Sequence, residues 1–420
     1  MAELTAAAER VRANVEGALT AKQVNLASPD GRAHAEALIE EALTAYQADA
    51  LSSNGDGSSA QLEQIRRELR DDLLGLGRIA ERMLADESAQ EWMINGPRRI
   101  FKDTGDRIER VTDIALPDDR AALRILERLL EHVEGKRLDR ITPLIEARLP
   151  DGSRLTAAIP PVSSNGHVIF TIRRFRLRAN TITELVELGT LSQQAADFLV
   201  ACVRARKNIV VAGPVSSGKT TLLNALGDAI PGSERVVVCE SGAELKLPDL
   251  LHNCVAYEAR PDSADNLPGI TLDQLVASAL RLNPSRIIVG ECRGPETMAM
   301  LWAFATGHAG MTSVHGETAD HGLRNLARFA LTAGPQITTE QALDWLREID
   351  IVIHCSRPTT YENGEQRFLP RQVDEIVEVQ GVEGNRLTTN PLFEGSGANM
   401  QWLSAGPRFL SQLESLGFAA

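Results

Sequence analysis

The sequence Gly213-Pro-Val-Ser-Ser-Gly-Lys-Thr220 lies between two apolar runs, 208–212 and 222–226, and fits the phosphate-binding loop pattern G-x-x-x-x-G-K-[ST]. A strand that turns through small residues into a helix N-terminus directs backbone N–H groups at an anion, and the partial positive charge of the helix end adds attraction. Lys219 is then expected to reach the outer phosphates of a nucleotide, and Thr220 to offer its hydroxyl to Mg²⁺. The stretch therefore predicts a strand, a loop and a helix around a nucleotide-phosphate site.

The composition of the chain excludes several classes of protein. Its 420 residues exceed the ~250–300 that one core usually supports, which predicts two or three domains. A net charge of −13 argues against a surface built for unspecific duplex binding. Apolar runs stay short of the ~20 residues of a membrane span, and residues 1–20 lack the basic and apolar pattern of a signal peptide, so we expect a cytoplasmic protein.

Cysteine usage points the same way. The five cysteines lie singly, without a C-x-x-C pair, in mostly apolar surroundings. Buried reduced thiols are therefore expected rather than disulfides or zinc ligands.

Changes in composition divide the chain into segments. Residues 1–50 are predicted as an Ala- and Glu-rich helical extension, and 51–60 as a small, polar linker. Residues 61–180 are predicted as an N-terminal α/β domain, 181–189 as a hinge, and 190–420 as a second α/β domain.

Within the second domain, apolar strand-like runs alternate with helical periods, which is typical of a sheet covered by helices. The predicted strands are Ile209–Ala212, Val236–Glu240, Cys254–Glu258, Ile287–Gly290, Thr312–His315 and Ile349–His354. Ligands of such sheets bind at the carboxyl ends of the strands. Val373–Val379 is predicted as a further strand, followed by a Gly- and Asn-rich tail.

Two of these strands end in carboxylates. The run from Arg286 leads to Glu291, the arrangement of a Walker B element, whose acid holds Mg²⁺ through water or polarises the attacking water. The other strand ends at Glu240, with Glu244 four residues further on. A second carboxylate at a neighbouring strand end is a candidate general base, and we expect that function for Glu240. For Glu244, a capping charge at the start of a helix is an equal alternative.

Two histidines, His308 and His315, lie in a Gly- and Thr-rich run, Thr306–Gly316. Neutral imidazoles there would offer a hydrogen-bond donor to a γ-phosphate without adding a fixed charge. His252, His321 and His354 are interpreted as structural or solvated.

Together these stretches resemble the secretion-traffic ATPases, the P-loop superfamily of type II and type IV secretion and pilus assembly. Within it they look most like the CpaF-like branch of tight-adherence pilus ATPases. The matching stretches are Asn208–Leu226, Glu234–Leu245, Arg286–Glu296 and Ala305–His315, and upstream Glu91–Pro97, Ala147–Pro161 and Phe170–Phe175. The resemblance covers about residues 65 to 380.

The resemblance implies an N-terminal α/β domain hinged to a RecA-like P-loop ATPase domain, preceded here by the helical extension. It also implies a homo-hexameric ring that hydrolyses ATP to ADP and phosphate with Mg²⁺. The implied catalytic residues are Lys219, Glu240 as the general base, Glu291 of the Walker B element, His315 of the His box, and Arg260 directed toward phosphate. The implied ATP-binding residues are Gly213, Pro214, Val215, Ser216, Ser217, Gly218, Lys219, Thr220 and Thr221, with Arg173 or Arg174 as a clamp from the N-terminal domain. Mg²⁺ is assigned to Thr220 and Glu291.

The basic run from Arg173 to Arg178 has an alternative interpretation. It would equally suit a solvated strand end or a patch facing nucleic acid.

Three positions depart from the family pattern. Ser241 stands where the acidic box usually has Asp, and Gly316-Glu317 stands where Ala-Asn usually follows the His-box histidine. Ser216 stands where Gly is common, at a position expected to need φ > 0, which costs energy for a residue with a β-carbon. These departures bear on the turnover rate rather than on the nucleotide site.

We therefore expect an ATP-hydrolysing cytoplasmic motor, peripheral to the inner face of the cytoplasmic membrane, that powers pilus assembly or protein secretion. It would dock on an inner-membrane platform protein, without direct nucleic-acid binding, and residues 1–50 would be a docking arm or a solvated extension. Two alternatives stay open. One is a low-turnover, ATP-dependent assembly switch, which Ser241 would permit, and the other is a conjugation-type ATPase that supports DNA transfer.

Overall fold

The computed structural model describes residues 2–22, 24, 29–52, 58–73, 78–131, 133, 136–174, 179, 181–260, 268–362, 364–384, 386–403 and 406–419. The chain divides into two compact units, Met1–Arg176 and Leu177–Ala420. Both contain helices and sheets, so the predicted mixed α/β class is confirmed.

The first unit begins with helices and continues into a sheet. Its helices are α1 (Ala2–Ala21), α2 (Pro29–Ser52), α3 (Ser59–Leu73), α4 (Arg78–Ala85) and α5 (Asp119–Leu130). Its strands are β1 (Glu91–Asn95), β2 (Ile100–Asp103), β3 (Ile108–Val111), β4 (Leu144–Arg148), β5 (Arg154–Ala158) and β6 (Ile169–Arg173). The six strands form one antiparallel sheet in the order β3-β2-β1-β6-β5-β4.

Helices α1, α2 and α3 share a small apolar core that includes Val15, Ile39 and Ile65. Across the surface of α2 and α3, the Arg66 guanidinium makes two hydrogen bonds to the Glu40 carboxylate, of 2.7 and 2.8 Å. Of the segment predicted as a linker, residues 53–57 lie outside the described part of the chain. Of the same segment, Leu51 and Ser52 end α2, and Ser59 and Ala60 begin α3.

The antiparallel sheet buries one face against α5. Alternate side chains of β1, Trp92 and Ile94, lie in the same core as Leu126 of the helix. Side chains that alternate between core and surface are expected for an antiparallel sheet covered on one side. Helix α5 begins at Asp119 because the Asp118 carboxylate accepts the N–H of Ala121.

The second unit is a larger α/β structure. Its helices are α6 (Ile182–Glu187), α7 (Gln193–Arg204), α8 (Lys219–Asp228), α9 (Leu247–Leu250), α10 (Leu272–Ala279), α11 (Glu296–Ala305), α12 (Ala319–Leu331), α13 (Thr339–Trp345) and α14 (Leu410–Ser415), with 3₁₀ turns at Leu346–Glu348 and Gly397–Asn399. Its strands are β7 (Ile209–Gly213), β8 (Val236–Glu240), β9 (Cys254–Glu258), β10 (Arg286–Cys292), β11 (Ala309–His315), β12 (Ile351–Ser356), β13 (Thr359–Glu362), β14 (Glu365–Phe368), β15 (Gln372–Glu383), β16 (Arg386–Pro391), β17 (Phe393–Glu394) and β18 (Gln401–Trp402).

Eight of these strands form a sheet in the order β16-β15-β12-β7-β11-β10-β8-β9. The six strands from β12 to β9 pair in parallel, and β15 and β16 add to them antiparallel. Successive side chains of β7 enter different cores: Val211 lies with α7 and α8, and Val210 lies with α11 and α12. Burial on both faces explains why the strands are continuous apolar runs in the sequence.

The order of the parallel strands determines where the candidate residues lie. Strands β7, β11, β10 and β8 are consecutive neighbours and run in the same direction. Their carboxyl ends carry Gly213, His315, Glu291 and Glu240. Four sequence-predicted residues therefore reach one edge of one sheet, the edge where α/β proteins bind ligands.

The chain beyond β15 is more ordered than a Gly- and Asn-rich tail suggests. Trp402 and Phe418 pack with Phe198 of α7 in an aromatic cluster whose ring centroids are 5.3 to 5.5 Å apart. Arg408 donates from Nε to the fully buried Glu378 carboxylate at 2.8 Å. These contacts fix the C-terminal segment on the second unit.

The five cysteines all lie in the described part of the chain and are free thiols, four of them buried. Burial raises the pKa of the Cys239 thiol to about 12, which makes it unreactive. Among the helices that the structure describes, none has the length and apolar character to cross a membrane.

Candidate functional site

The loop from Gly213 to Thr220 joins β7 to α8 with a backbone that favours glycine. Gly218, at the N-cap of α8, has φ +100°. A β-carbon at Gly213 would overlap the carbonyl oxygen of Cys355 on β12. Ser216 has φ +61°, as the sequence predicted for this position. An L-residue in this region costs ~1–2 kcal/mol, so the loop carries strain at Ser216.

Lys219 is the buried cation of this loop. Its side chain is only 7% exposed. Its Nζ donates to the carbonyl oxygens of Gly213 and Pro214, at 3.0 and 2.9 Å, and lies 3.3 Å from Nδ1 of His315. A phosphate that enters the loop would therefore meet a positive charge already held there.

Thr220 and Glu244 form a second contact at the start of α8. The Thr220 hydroxyl donates to Oε2 of Glu244 at 3.3 Å. The sequence left Glu244 undecided between a helix cap and a functional acid. Helix α9 begins only at Leu247, after its N-cap Lys246, so Glu244 lies in the preceding turn, where it faces the hydroxyl predicted to bind Mg²⁺. The sequence signal for Glu244 was its position four residues after Glu240.

Glu240 makes a different set of contacts. Its side chain is 4% exposed, and its Oε1 accepts the N–H groups of Glu244 at 3.0 Å and of Leu245 at 3.1 Å. Its Cγ packs against Gly290 of β10, where a β-carbon would lie 2.7 Å away. Glu240 therefore fixes the turn that carries Glu244.

Glu291 and His315 meet across β10 and β11. Nε2 of His315 lies 2.9 Å from Oε1 of Glu291, and the Arg293 guanidinium contacts the other oxygen. The register of β10 against β11 shifts between Val289 and Cys292. Such irregularities re-aim side chains next to active sites, and Glu291 lies within this one.

The His315 imidazole is electrostatically disfavoured as a cation. Burial lowers its pKa below the ordinary value of 6.5, and the Lys219 charge lowers it further, against the opposing effect of Glu291. Nδ1 of the ring lies 3.3 Å from Nζ of Lys219, and Nε2 lies 2.9 Å from Oε1 of Glu291. The imidazole therefore lies between the buried lysine and the Glu291 carboxylate.

His308 lies away from this edge. His308 precedes β11 and His315 ends it, so the strand separates them by about 23 Å at ~3.3 Å per residue. The Arg260 guanidinium donates to the carbonyl oxygen of Pro268 at 2.9 Å. In the first unit, Arg173 is exposed at the end of β6, and Arg174 donates to the carbonyl oxygens of Asp86 and Leu84. Arg176 and Arg178 lie outside the described residues.

The donors around Thr220 suit Mg²⁺. The Thr220 hydroxyl and the Glu244 carboxylate are hard oxygen donors 3.3 Å apart. Within the described ranges, no group of three or more His, Cys, Asp or Glu side chains could hold a metal. Mg²⁺ usually completes its shell with phosphate and water, so a small set of protein oxygens fits it.

The chain is similar in sequence to a family of known proteins. A family model described as Type II/IV secretion system protein matches residues 76–380. A putative conjugal transfer protein of Mycobacterium tuberculosis is 33% identical over 252 residues, which are 58% of this chain and 69% of that protein. An uncharacterized protein of Methanocaldococcus jannaschii is 36% identical over 248 residues, 56% of this chain, but the match spans only 33% of that longer relative.

Among solved structures, the X-ray structure of the Yersinia pseudotuberculosis ATPase DotB matches with a TM-score of 0.51. The match covers 71% of this chain and 78% of DotB at 16% identity. At that identity the likeness is one of fold.

Proposed function

Since the chain belongs to the family of type II/IV secretion system proteins, we propose that it is a Mg²⁺-dependent ATPase that acts as a motor of such a system. The observation that carries the proposal is the convergence at one sheet edge. The P-loop lysine contacts His315, His315 contacts Glu291, and the P-loop threonine contacts Glu244. This arrangement supplies a phosphate site, an acid at the Walker B position and a second carboxylate on the adjacent side.

Binding of the phosphates is the role of the loop and α8. The N-terminus of α8 and the N–H groups of the loop favour an anion, and Lys219 contributes a full charge. Thr220 would hold Mg²⁺ directly, Glu244 and Glu291 would contact it only through water, and the ion would neutralise charge on the transferring phosphoryl group.

For the general base we propose Glu244. The resemblance gave this role to Glu240, but the Glu240 carboxylate is buried against Gly290 and accepts two backbone N–H groups. Glu244 is half-buried and lies beside the Thr220 hydroxyl, near the expected position of the phosphates. In this scheme Glu240 positions Glu244, and Glu244 takes the proton from the attacking water.

His315 is proposed to report phosphate occupancy. A phosphate that draws Lys219 away from the carbonyl oxygens of Gly213 and Pro214 also changes the environment of Nδ1. The ring can pass this change to Glu291 because its Nε2 lies 2.9 Å from that carboxylate.

The finer assignments are supported by the sequence motifs. We propose a homo-hexamer of the CpaF-like branch that works at the cytoplasmic face of an inner membrane, docked on a platform protein and driving pilus assembly or protein secretion. The predicted clamp by Arg173 or Arg174, the role of Arg260, and the hinge at residues 181–189 stay predictions. DNA transfer is the second candidate, because a relative that is 33% identical is named a putative conjugal transfer protein.

Phosphate release by the purified full chain tests the enzymatic proposal. We expect release from ATP that requires Mg²⁺ and stops with EDTA. Release that is absent with Mg²⁺, while ATP still binds, would favour the low-turnover switch. Deletion of the gene in its host, scored for surface pili, secreted protein and DNA transfer, would then distinguish the three kinds of system.

A further inference from the structure

An arginine distant in sequence lies against the phosphate-binding loop. Arg371 precedes β15, and its Nε donates to the carbonyl oxygen of Ser216 at 2.8 Å. Its side chain also packs on Gly218, since a β-carbon there would lie 3.0 Å from Cδ of Arg371. One side chain thus contacts both positions of the loop that have positive φ.

The carbonyl oxygen that accepts from Arg371 belongs to Ser216, the residue of the loop whose backbone is strained. Ser216 has φ +61°, whereas glycine would adopt this conformation about as readily as negative φ. For serine the left-handed region is disfavoured by roughly tenfold or more in population. A charged donor on the Ser216 carbonyl oxygen stabilises the conformation that the serine itself disfavours.

The contact of Arg371 with Ser216 also affects the orientation of the next backbone N–H group in the loop. In a trans peptide the C=O and the following N–H point in opposite directions. The Ser217 N–H points across the loop to the carbonyl oxygen of Pro214, at 3.4 Å, and that oxygen also accepts from Lys219 at 2.9 Å. The Arg371 contact on one side therefore orients the Ser217 N–H toward the side where Lys219 lies.

We propose that Arg371 is a positioning residue of the nucleotide site. It holds the peptide between Ser216 and Ser217 in the anion-binding orientation, and it offsets the strain of a serine at this place in the loop. The inference rests on the proposed nucleotide-binding function. The affinity of the site for phosphates would then also depend on Arg371, which lies between β14 and β15 and outside the P-loop motif.

The proposal predicts coupling between two residues that are 155 positions apart. Arg371→Ala should raise the Kd for a fluorescent ATP analogue roughly tenfold, the worth of one hydrogen bond from a charged group. In a Ser216→Gly background the same substitution should raise the Kd only two- to threefold, because glycine needs less support at φ +61°.

The experiment compares the full-length native chain, both single variants and the double variant by titration with the analogue, and checks each by thermal unfolding. Arg347→Ala is the matched control, because it removes the same charge from an exposed arginine paired with Asp344. Lys219→Ala reports loss of the nucleotide site itself.

The expected result is a fall in the Arg371 effect in the glycine background, with Arg347→Ala unchanged. A change of less than twofold for Arg371→Ala, or an equal loss in both backgrounds, would overturn the inference while leaving the nucleotide site intact. A native chain that binds no nucleotide, like Lys219→Ala, would overturn the proposed function and this inference with it. General misfolding of Arg371→Ala would appear as an equal loss in both backgrounds with a lowered Tm, and so also counts against positioning.

Discussion

Replacing the Glu244 carboxylate by an amide should separate the chemistry from nucleotide binding. In Glu244→Gln the side chain keeps its length and keeps an oxygen that can accept from the Thr220 hydroxyl, which lies 3.3 Å from Oε2 in the native chain. The substitution removes the capacity to take a proton. General-base catalysis contributes typically ~10²–10⁴-fold in rate, so we expect kcat for phosphate release to fall by about that factor. The Kd for ATP should stay within about twofold.

The comparison with Glu240→Gln makes this prediction specific. The Glu240 carboxylate accepts the N–H groups of Glu244 and Leu245, and hydrogen bonds to charged groups contribute ~1.5–3 kcal/mol. An amide keeps one acceptor, so we expect a loss of about 1–2 kcal/mol in the free energy of unfolding, seen as a Tm lowered by several degrees. Activity should fall as well, because the turn that holds Glu244 loosens.

The assay is steady-state phosphate release together with ATP titration and thermal unfolding, with Glu394→Gln as an exposed control on β17. Glu244 is not the base if Glu244→Gln turns over ATP at nearly the native rate while Glu240→Gln abolishes release with an unchanged Tm. That pattern would return the role of base to Glu240.

Two further predictions concern the scaffold of the site. Burial by itself lowers the pKa of His354, but the hydrogen bond from Nδ1 to Asp374, at 2.6 Å, and the negative charges of Asp374 and Glu375 together outweigh it, so the pKa lies above the ordinary 6.5. Protonated His354 therefore stabilises the fold below about pH 6.5, and this contribution is lost as pH rises through the raised pKa. His354→Gln should flatten the fall in Tm from about pH 6.5 upward, and an unchanged pH profile would contradict the assignment. Gly310→Ala should lower the free energy of unfolding by ~3 kcal/mol or more, because the new β-carbon would overlap the carbonyl oxygen of Ile287. Urea titration measures this loss. A loss below ~1 kcal/mol would show that β10 and β11 separate easily at this position.

Most of the residues at the sheet edge that carries the candidate site could be predicted from local sequence patterns. The apolar runs that end at the candidate residues Glu240 and His315 are strands in the structure, and each of these residues is the last of its strand. Burial on both faces of a parallel sheet makes such strands easy to predict, and parallel direction brings their carboxyl ends together. The positive φ of Ser216 also followed from the loop pattern.

Contacts that depend on turns or on distant segments could not be predicted from local sequence patterns. The position of Glu244 on Thr220 depends on how residues 241–246 turn, and that turn is held by the buried Glu240 carboxylate. Arg371 lies 155 residues from its partner Ser216, and no local spacing signals the pair. Likewise, the ring contact of His315 with Lys219 depends on β11 lying beside β7, which only the order of the sheet determines.

In the proposed function, the buried lysine of the phosphate-binding loop serves ATP hydrolysis. Its most direct test is Mg²⁺-dependent phosphate release by the purified native chain beside Lys219→Ala, with Lys22→Ala, an exposed lysine after α1, as the control. We predict release by the native chain and by Lys22→Ala, and a loss of at least about 100-fold for Lys219→Ala, because the loop then lacks the charge that meets the outer phosphates. Equal release by the native chain and Lys219→Ala, whether high or near zero, would show that Lys219 has no part in ATP hydrolysis by this chain.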